Sequence, residues 1–268
     1  MKGGWAWNKF KYRIRGKRFG ERFYKIYLRF SGSKRPKGSV KTTKNRIDFS
    51  WNKKSASLRI SPKQRICNIT LYTPNHHYSP LDIGGLFYQC LLNLAIIYFN
   101  GIFIHAAAIK IGTRCFVLLG KANAGKTTLS RLCFQRYGAN SVLCDETILL
   151  RKKNNKLLIC GTPWVGGKSI KEASKLSSNI IIEEKNRSGI TFLSLYKSKS
   201  KNRIGPLNEQ KEANILLNSI NHIIYRCPIN VKKIAVNRLF RFFGHKHIHK
   251  FDFKKDASSI KYLKDHID

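Results

Sequence analysis

The segment Gly120-Lys121-Ala122-Asn123-Ala124-Gly125-Lys126-Thr127 spaces two glycines, a lysine and a threonine in the pattern of a loop that cradles a triphosphate. Glycine lets the backbone approach phosphate oxygens closely, while successive amides and a helix N-terminus aim positive dipole ends at the anion. Lys126 would reach the β- and γ-phosphates, and Thr127, followed by Thr128, offers a hydroxyl to Mg2+. Asn123 stands where such loops often carry a further glycine, and asparagine enters the left-handed region at modest cost. Phosphoryl transfer also needs carboxylates, to hold the metal and to take the proton from an attacking hydroxyl. Asp145-Glu146 supplies an adjacent pair in a chain that has 14 acids in all.

The flanking residues place these groups. Cys115-Phe116-Val117-Leu118-Leu119 reads as a buried strand and residues 128–134 as a helix, so strand, loop and helix follow in the order that a phosphate loop requires. Residues 140–144 predict a short strand that would deliver Asp145 and Glu146 to the sheet edge where the loop opens. Residues 103–110 predict one strand, forming a hairpin with 115–119 through the Gly112-Thr113 turn. Further strands are expected at 147–151, 157–160, 190–195 and 250–253, and helices at 208–220 and 257–266. The N-terminal third looks β-rich, with strands at 11–15, 23–30, 46–51, 57–60 and 66–72 around a polar loop at 31–39. Ser79-Pro80 can open a helix that runs to Phe99. These features mark a β-rich N-terminal segment, 1–78, expected to belong to the same fold as the domain at 79–268 that carries the loop.

The series Ile104-His105-Ala106-Ala107-Ala108, then Gly120 to Thr128, then Leu143-Cys144-Asp145-Glu146 resembles the HPr kinase/phosphorylase superfamily and its smaller bacterial relatives. The stretch Gly125-Lys126-Thr127-Thr128-Leu129-Ser130 is also similar to the loop of ATP-dependent phosphoenolpyruvate carboxykinases. Gly161-Thr162-Pro163-Trp164 and Asn202-Arg203-Ile204-Gly205-Pro206-Leu207, leading to Glu212-Ala213, extend the likeness over residues 80–255. The resemblance implies an α/β fold of the carboxykinase type, a mixed sheet flanked by helices with extra N-terminal strands. It also implies an ATP- and Mg2+-dependent kinase acting on a hydroxyl, commonly serine, of a peptide or protein. On the matching positions, residues 120–128 bind the nucleotide, Lys126 holds phosphates, Thr127 and Glu146 hold the metal, and Asp145 is the base for the acceptor hydroxyl. His105 matches the family histidine that orients or neutralises an acid; as a residue on its own it reads equally well as a satisfied histidine inside a hairpin. Glu146 replaces the usual second aspartate, keeping the charge but reaching one methylene further. A nucleotide-binding protein without phosphotransfer, either a pseudokinase or a basic nucleic-acid-binding protein, is the competing expectation. The C-terminal motif of the reverse reaction has no counterpart, and relatives form hexamers and smaller assemblies, so a homo-oligomer is compatible.

Lys and Arg total 52 against 14 Asp and Glu, a net charge of +38, which favours anionic partners over basic ones and fits nucleic acid, an acidic peptide or protein, an anionic membrane surface or a compositional habit of the source. An acidic or hydroxyl-bearing peptide or protein is the favoured partner, ahead of nucleic acid. Trp5, Trp7, Phe10 and Tyr12 among basic residues resemble a stacking surface, but any basic sheet with one buried aromatic face shows the same pattern. The 42% hydrophobic content rules out a disordered polymer. Seven cysteines without a CxxC pair read as reduced core thiols of a cytoplasmic protein. The apolar stretch 86–108 is interrupted by Gln89, Asn93, Asn100, Gly101 and His105, and reads as a buried helix and strand rather than a membrane span. His245, His247 and His249 alternate, yet read as a basic surface strand before a metal site, and residues 197–203 as a solvated loop over the site.

Overall fold

The computed structural model describes residues 25–31, 46–51, 54–61, 66–72, 96, 100–153, 156–162, 181–183, 189–225, 227, 229–244 and 247–265. The expected strand at 11–15, the loop at 31–39, most of the helix at 80–99, Trp5, Trp7, Pro163, Trp164 and His245 lie outside them.

The chain divides into two units, residues 1–94 with 226–229, and residues 95–225 with 230–268. The first contains a four-stranded sheet of β1 (Lys25–Ser31), β2 (Arg46–Trp51), β3 (Lys54–Ser61) and β4 (Ile66–Tyr72), in the order β1-β4-β3-β2. Consecutive strands β2, β3 and β4 pair antiparallel, and β1 closes the edge parallel to β4.

The second unit is mixed α/β. Its six-stranded sheet contains β6 (Ala107–Ile111), β7 (Arg114–Leu119), β8 (Val142–Cys144), β12 (Ile190–Lys197), β13 (Arg203–Gly205) and β14 (Ile248–Phe253). The order is β13-β14-β12-β7-β6-β8, with β7, β12 and β14 parallel and β6 and β13 antiparallel to their neighbours. A parallel centre must be covered on both faces. On one face Ala107, Ile109, Phe116, Leu118, Leu193, Leu195, Phe251 and Phe253 pack with Leu129 and Cys133 of α1 (Lys126–Tyr137) and with Ile260 and Leu263 of α4 (Ser258–Asp265). Toward the other, the Phe192 ring meets Phe243 of α3 (Ile229–Phe243), centroids 4.4 Å apart. A second, antiparallel sheet joins β5 (Gly101–Ile104), β9 (Ile148–Lys153), β10 (Lys156–Cys160) and β11 (Ile181–Glu183) in the order β11-β10-β9-β5. The remaining helix, α2 (Glu209–Ile224), starts on Asn208, whose Oδ1 accepts from the Lys211 amide at 2.9 Å.

Three expectations need correction. The strand expected over 103–110 is two strands, because the chain leaves one sheet after Ile104 and enters the other at Ala107. The strand expected over 140–144 is a short 3-10 turn, Ala139–Ser141, followed by β8. Helix α3 was not expected at all. The alternating histidines do not share a strand either: β14 starts at Ile248, and His247 lies outside it with Nδ1 3.5 Å from Glu212 Oε1. Among the described residues no group of three or more His, Cys, Asp or Glu is placed to hold a metal, and no helix is long and apolar enough to cross a membrane.

The cysteines of the second unit are free thiols packed in apolar surroundings. Burial pushes the thiols of Cys115 and Cys160 up to about 12 and that of Cys133 up to about 11. The thiolate is the reactive form, so in the native protein at pH 8 these three should resist a thiol reagent and react only on denaturation. Rapid labelling of any of them, mapped by mass spectrometry on the folded protein, would contradict the packing described.

Candidate functional site

The loop between β7 and α1 has the backbone that its glycines predict. Gly120 has φ 146° and Gly125 φ 110°, and Asn123, at φ 63°, takes the left-handed conformation that asparagine tolerates. Space excludes a side chain at both glycines. A Cβ on Gly120 would lie 2.8 Å from that of Ala124, and one on Gly125 would lie 2.3 Å from Cζ of Phe253. Phe253, at the end of β14, is the floor of the loop. The turn closes through the Ala124 amide, which donates to the Lys121 carbonyl at 3.1 Å. Lys121, Ala122 and Asn123 are exposed at the tip.

Lys126 and Thr127 open α1. That helix has no side-chain cap and no acid in its first turn, so nothing of its own competes for an anion at its N-terminus. Lys126 is 6% exposed and its Nζ donates to the carbonyls of Gly120, at 2.8 Å, and Lys121, at 3.2 Å. Burial pulls its ammonium below the usual lysine range, and the nearby Glu146 carboxylate opposes that shift. Thr127 is exposed and Thr128 half-buried.

The sheet brings the acids to the loop. Ala108 pairs with Val117 of β7 on one side and Cys144 of β8 on the other, so β7 and β8 run parallel, both antiparallel to β6. Their C-terminal ends therefore lie on one edge, together with the N-terminal end of β6. That edge holds the glycine-flanked loop after β7, Asp145-Glu146 after β8, and His105-Ala106 before β6. The carboxyl edge of parallel strands is where open α/β sheets bind ligands.

A shared corner explains why the histidine meets the second acid. The chain passes between the two sheets twice, from β5 to β6 through His105-Ala106 and from β8 to β9 through Asp145-Glu146-Thr147. Since Ile104 pairs with Ile148, the two crossings are adjacent. His105 Nδ1 lies 3.3 Å from Glu146 Oε1, and the backbone there is held by α2, whose Ser219 carbonyl accepts from the His105 amide at 2.7 Å. The His105 side chain is 19% exposed and that of Glu146 43%. Asp145 is fully buried. Just beyond, the Thr162 hydroxyl donates to the Thr147 carbonyl and lies 3.6 Å from Cys144 Sγ, tying the strand after the acids to the end of β10.

The structure thus gathers His105, residues 120–128 and Asp145-Glu146 on one edge, with Glu146 close enough to act on the Lys126 charge and 3.3 Å from His105 Nδ1. Phe253 and the carbonyl of Ser219 are structural partners that the sequence did not reveal, since both come from distant segments with no local signal.

No family model matches the chain, and no curated protein matches it. Among solved structures it matches the HPr(Ser) kinase/phosphatase from Coxiella burnetii, with 22% identity and a TM-score of 0.26, over 40% of this chain and 64% of that one. The chain therefore aligns with less than two thirds of that protein's length.

Proposed function

We propose that the chain is an ATP-dependent kinase that transfers the γ-phosphate to a hydroxyl, serine foremost, of a peptide or protein. The observation that carries this is the convergence, on one sheet edge, of a phosphate loop with Asp145, Glu146 and His105. A loop alone supports binding; carboxylates on the same edge supply what transfer needs besides binding.

The loop fits a nucleotide phosphate chain. Gly120 and Gly125 leave a cradle that a Cβ would fill, and the buried Lys126 ammonium is braced by two carbonyls rather than by an acid. Mg2+, held by Thr127 and Glu146 together with the phosphates, would neutralise charge developing on the transferred group. His105 keeps the Glu146 carboxylate oriented through the 3.3 Å contact. Asp145, buried at the end of β8, takes the proton of the acceptor hydroxyl as that oxygen attacks the γ-phosphorus and the bond from phosphorus to the bridging oxygen breaks, with ADP leaving. The mixed sheet with its loop, acids and histidine is the arrangement expected of the carboxykinase-type nucleotide fold, and we assign the second unit to it on that ground.

Metal dependence tests the assignment of Glu146. Glu146→Gln should raise the Mg2+ concentration needed for half-maximal transfer by about tenfold or more, with the acceptor KM unchanged. An identical Mg2+ titration in the variant and the wild type would remove Glu146 from the metal site. ATP binding that never leads to a phosphorylated acceptor, followed by mass spectrometry of serine-bearing peptides, would reduce the protein to a nucleotide-binding module.

A further inference from the structure

Beside the phosphate loop, the same sheet edge carries a rigid basic rim. A Cβ on Gly120 would come within 3.9 Å of Leu195, and Gly125 rests on Phe253, so the ends of β12 and β14 abut the loop. Two residues past Leu195 the chain reaches Lys197 and the turn 198–202, which carries Lys199 and Lys201. Arg203 follows at the start of β13, and Lys255 lies two residues past Phe253. All five cations are exposed.

The turn is exposed but not loose. The Ser198 amide donates to the Phe253 carbonyl at 2.8 Å, and the Ser198 hydroxyl accepts from the amides of Ser200 and Lys201 at 3.3 and 3.2 Å. Asn202 fastens its far end: Oδ1 accepts from the Lys254 amide at 2.8 Å and the Ser259 hydroxyl at 2.7 Å, and Nδ2 donates to Ser258 at 3.0 Å. The carboxylates close by are already engaged. Asp252 pairs with Lys250 at 2.8 Å, while Asp256 pairs with Lys254 at 3.3 Å and accepts from Ser258. Lys197, Lys199, Lys201, Arg203 and Lys255 therefore form no ion pair among the described residues. Like charges on a hydrogen-bonded turn and the strand ends beside it repel one another and concentrate a positive field toward an anion.

We infer that this rim docks an acidic segment of the acceptor and so presents the neighbouring hydroxyl to the phosphate loop; the inference rests on the phosphotransfer reading and specifies the kind of acceptor. The nucleotide does not account for the rim, since Lys126 and the loop amides already serve its phosphates. Nucleic acid is the poorer fit, because binding single strands uses open aromatic faces. The exposed aromatic here, Tyr196, has its ring covered by Lys250 Nζ at 5.1 Å from the centroid.

The test is direct binding, measured on the full chain without turnover. A fluorescent serine peptide with a glutamate run is titrated by anisotropy, beside the same peptide with glutamine in place of glutamate. The Glu peptide should bind at least about tenfold tighter than the Gln peptide, and the preference should shrink as salt is raised. The triple variant Lys199→Glu, Lys201→Glu, Arg203→Glu should abolish the preference. Lys232→Glu with Lys233→Glu, on α3, should keep it. Affinity for a fluorescent ATP analogue should be unchanged in both variants, which also shows that they fold. Equal affinity for the two peptides, or an undiminished preference in the rim variant, overturns the inference. Tighter, rim-dependent binding of a single-stranded oligonucleotide overturns it as well. Because no step requires transfer, failure of phosphorylation with rim-dependent peptide binding would sink the kinase reading while leaving the dock supported.

Discussion

Gly125→Ala should abolish ATP binding. Gly125 sits at φ 110°, where a Cβ is strained whatever the space, and here there is none, since the new carbon would lie 2.3 Å from Phe253 Cζ. The ring cannot yield cheaply. Phe253 is fully buried, its centroid is 5.9 Å from that of Phe251, and Phe251 stacks in turn on Tyr262 at 6.0 Å. Forcing one carbon into a packed site costs about 1–3 kcal/mol, and the loop is the softer side. It would be lifted off β14, and the amides aimed at phosphate would lose their common focus. Titration with a fluorescent ATP analogue, beside a thermal melt, should show affinity lost with a folded protein remaining. Phe253→Leu in the Gly125→Ala background should return part of that affinity, because it removes the collision while leaving the strain. Wild-type affinity in the alanine variant would mean that the loop is not seated on Phe253.

The second large effect concerns Asp145. Asparagine keeps its shape and removes the proposed base, so Asp145→Asn should lower kcat by about 10²–10⁴-fold, the range that a positioned proton acceptor contributes. ATP affinity should hold, since residues 120–128 are untouched. Full activity in this variant would take Asp145 out of the mechanism. Loss of ATP affinity alongside loss of activity would instead mark it as a support of the loop.

What the sequence made legible was local. Strand, phosphate loop and helix are consecutive in the chain, and the demands on Gly120, Asn123, Gly125, Lys126 and Thr127 are set within that segment, so residue types and spacing announce the loop geometry. The break at His105 was hidden because residues 103–109 are apolar apart from His105 itself, and such a run looks the same whether the strand stays in one sheet or crosses to another. Only the pairing of Ile104 with Ile148, and of Ala107 with Leu118, shows the crossing that brings His105 to Glu146. Helix α3 was hidden for a related reason. Ile229, Val231, Ile234, Val236, Phe240 and Phe242 are β-branched or aromatic and in part alternate with polar residues, which weakens the helical signal. Its buried positions, Val231, Ala235, Leu239 and Phe242, recur at helical spacing, and packing of that face decides the matter. The seating of Gly125 on Phe253 joins residues from opposite ends of the unit and had no sequence signal. Residues 197–203 looked like an ordinary solvated loop; the bonds of Ser198 and Asn202 are what make it a fixed rim.

The proposed transfer of a phosphoryl group to a hydroxyl at this sheet edge is open to direct observation. The direct measurement is a single-turnover reaction of the full chain with γ-labelled ATP, Mg2+ and a serine peptide flanked by glutamates, with the label traced to acceptor or to water. Label is expected on the serine oxygen, absent without Mg2+ and formed about 10²–10⁴-fold more slowly with Asp145→Asn. ATP bound at the loop with its label retained, or released only to water, would contradict it.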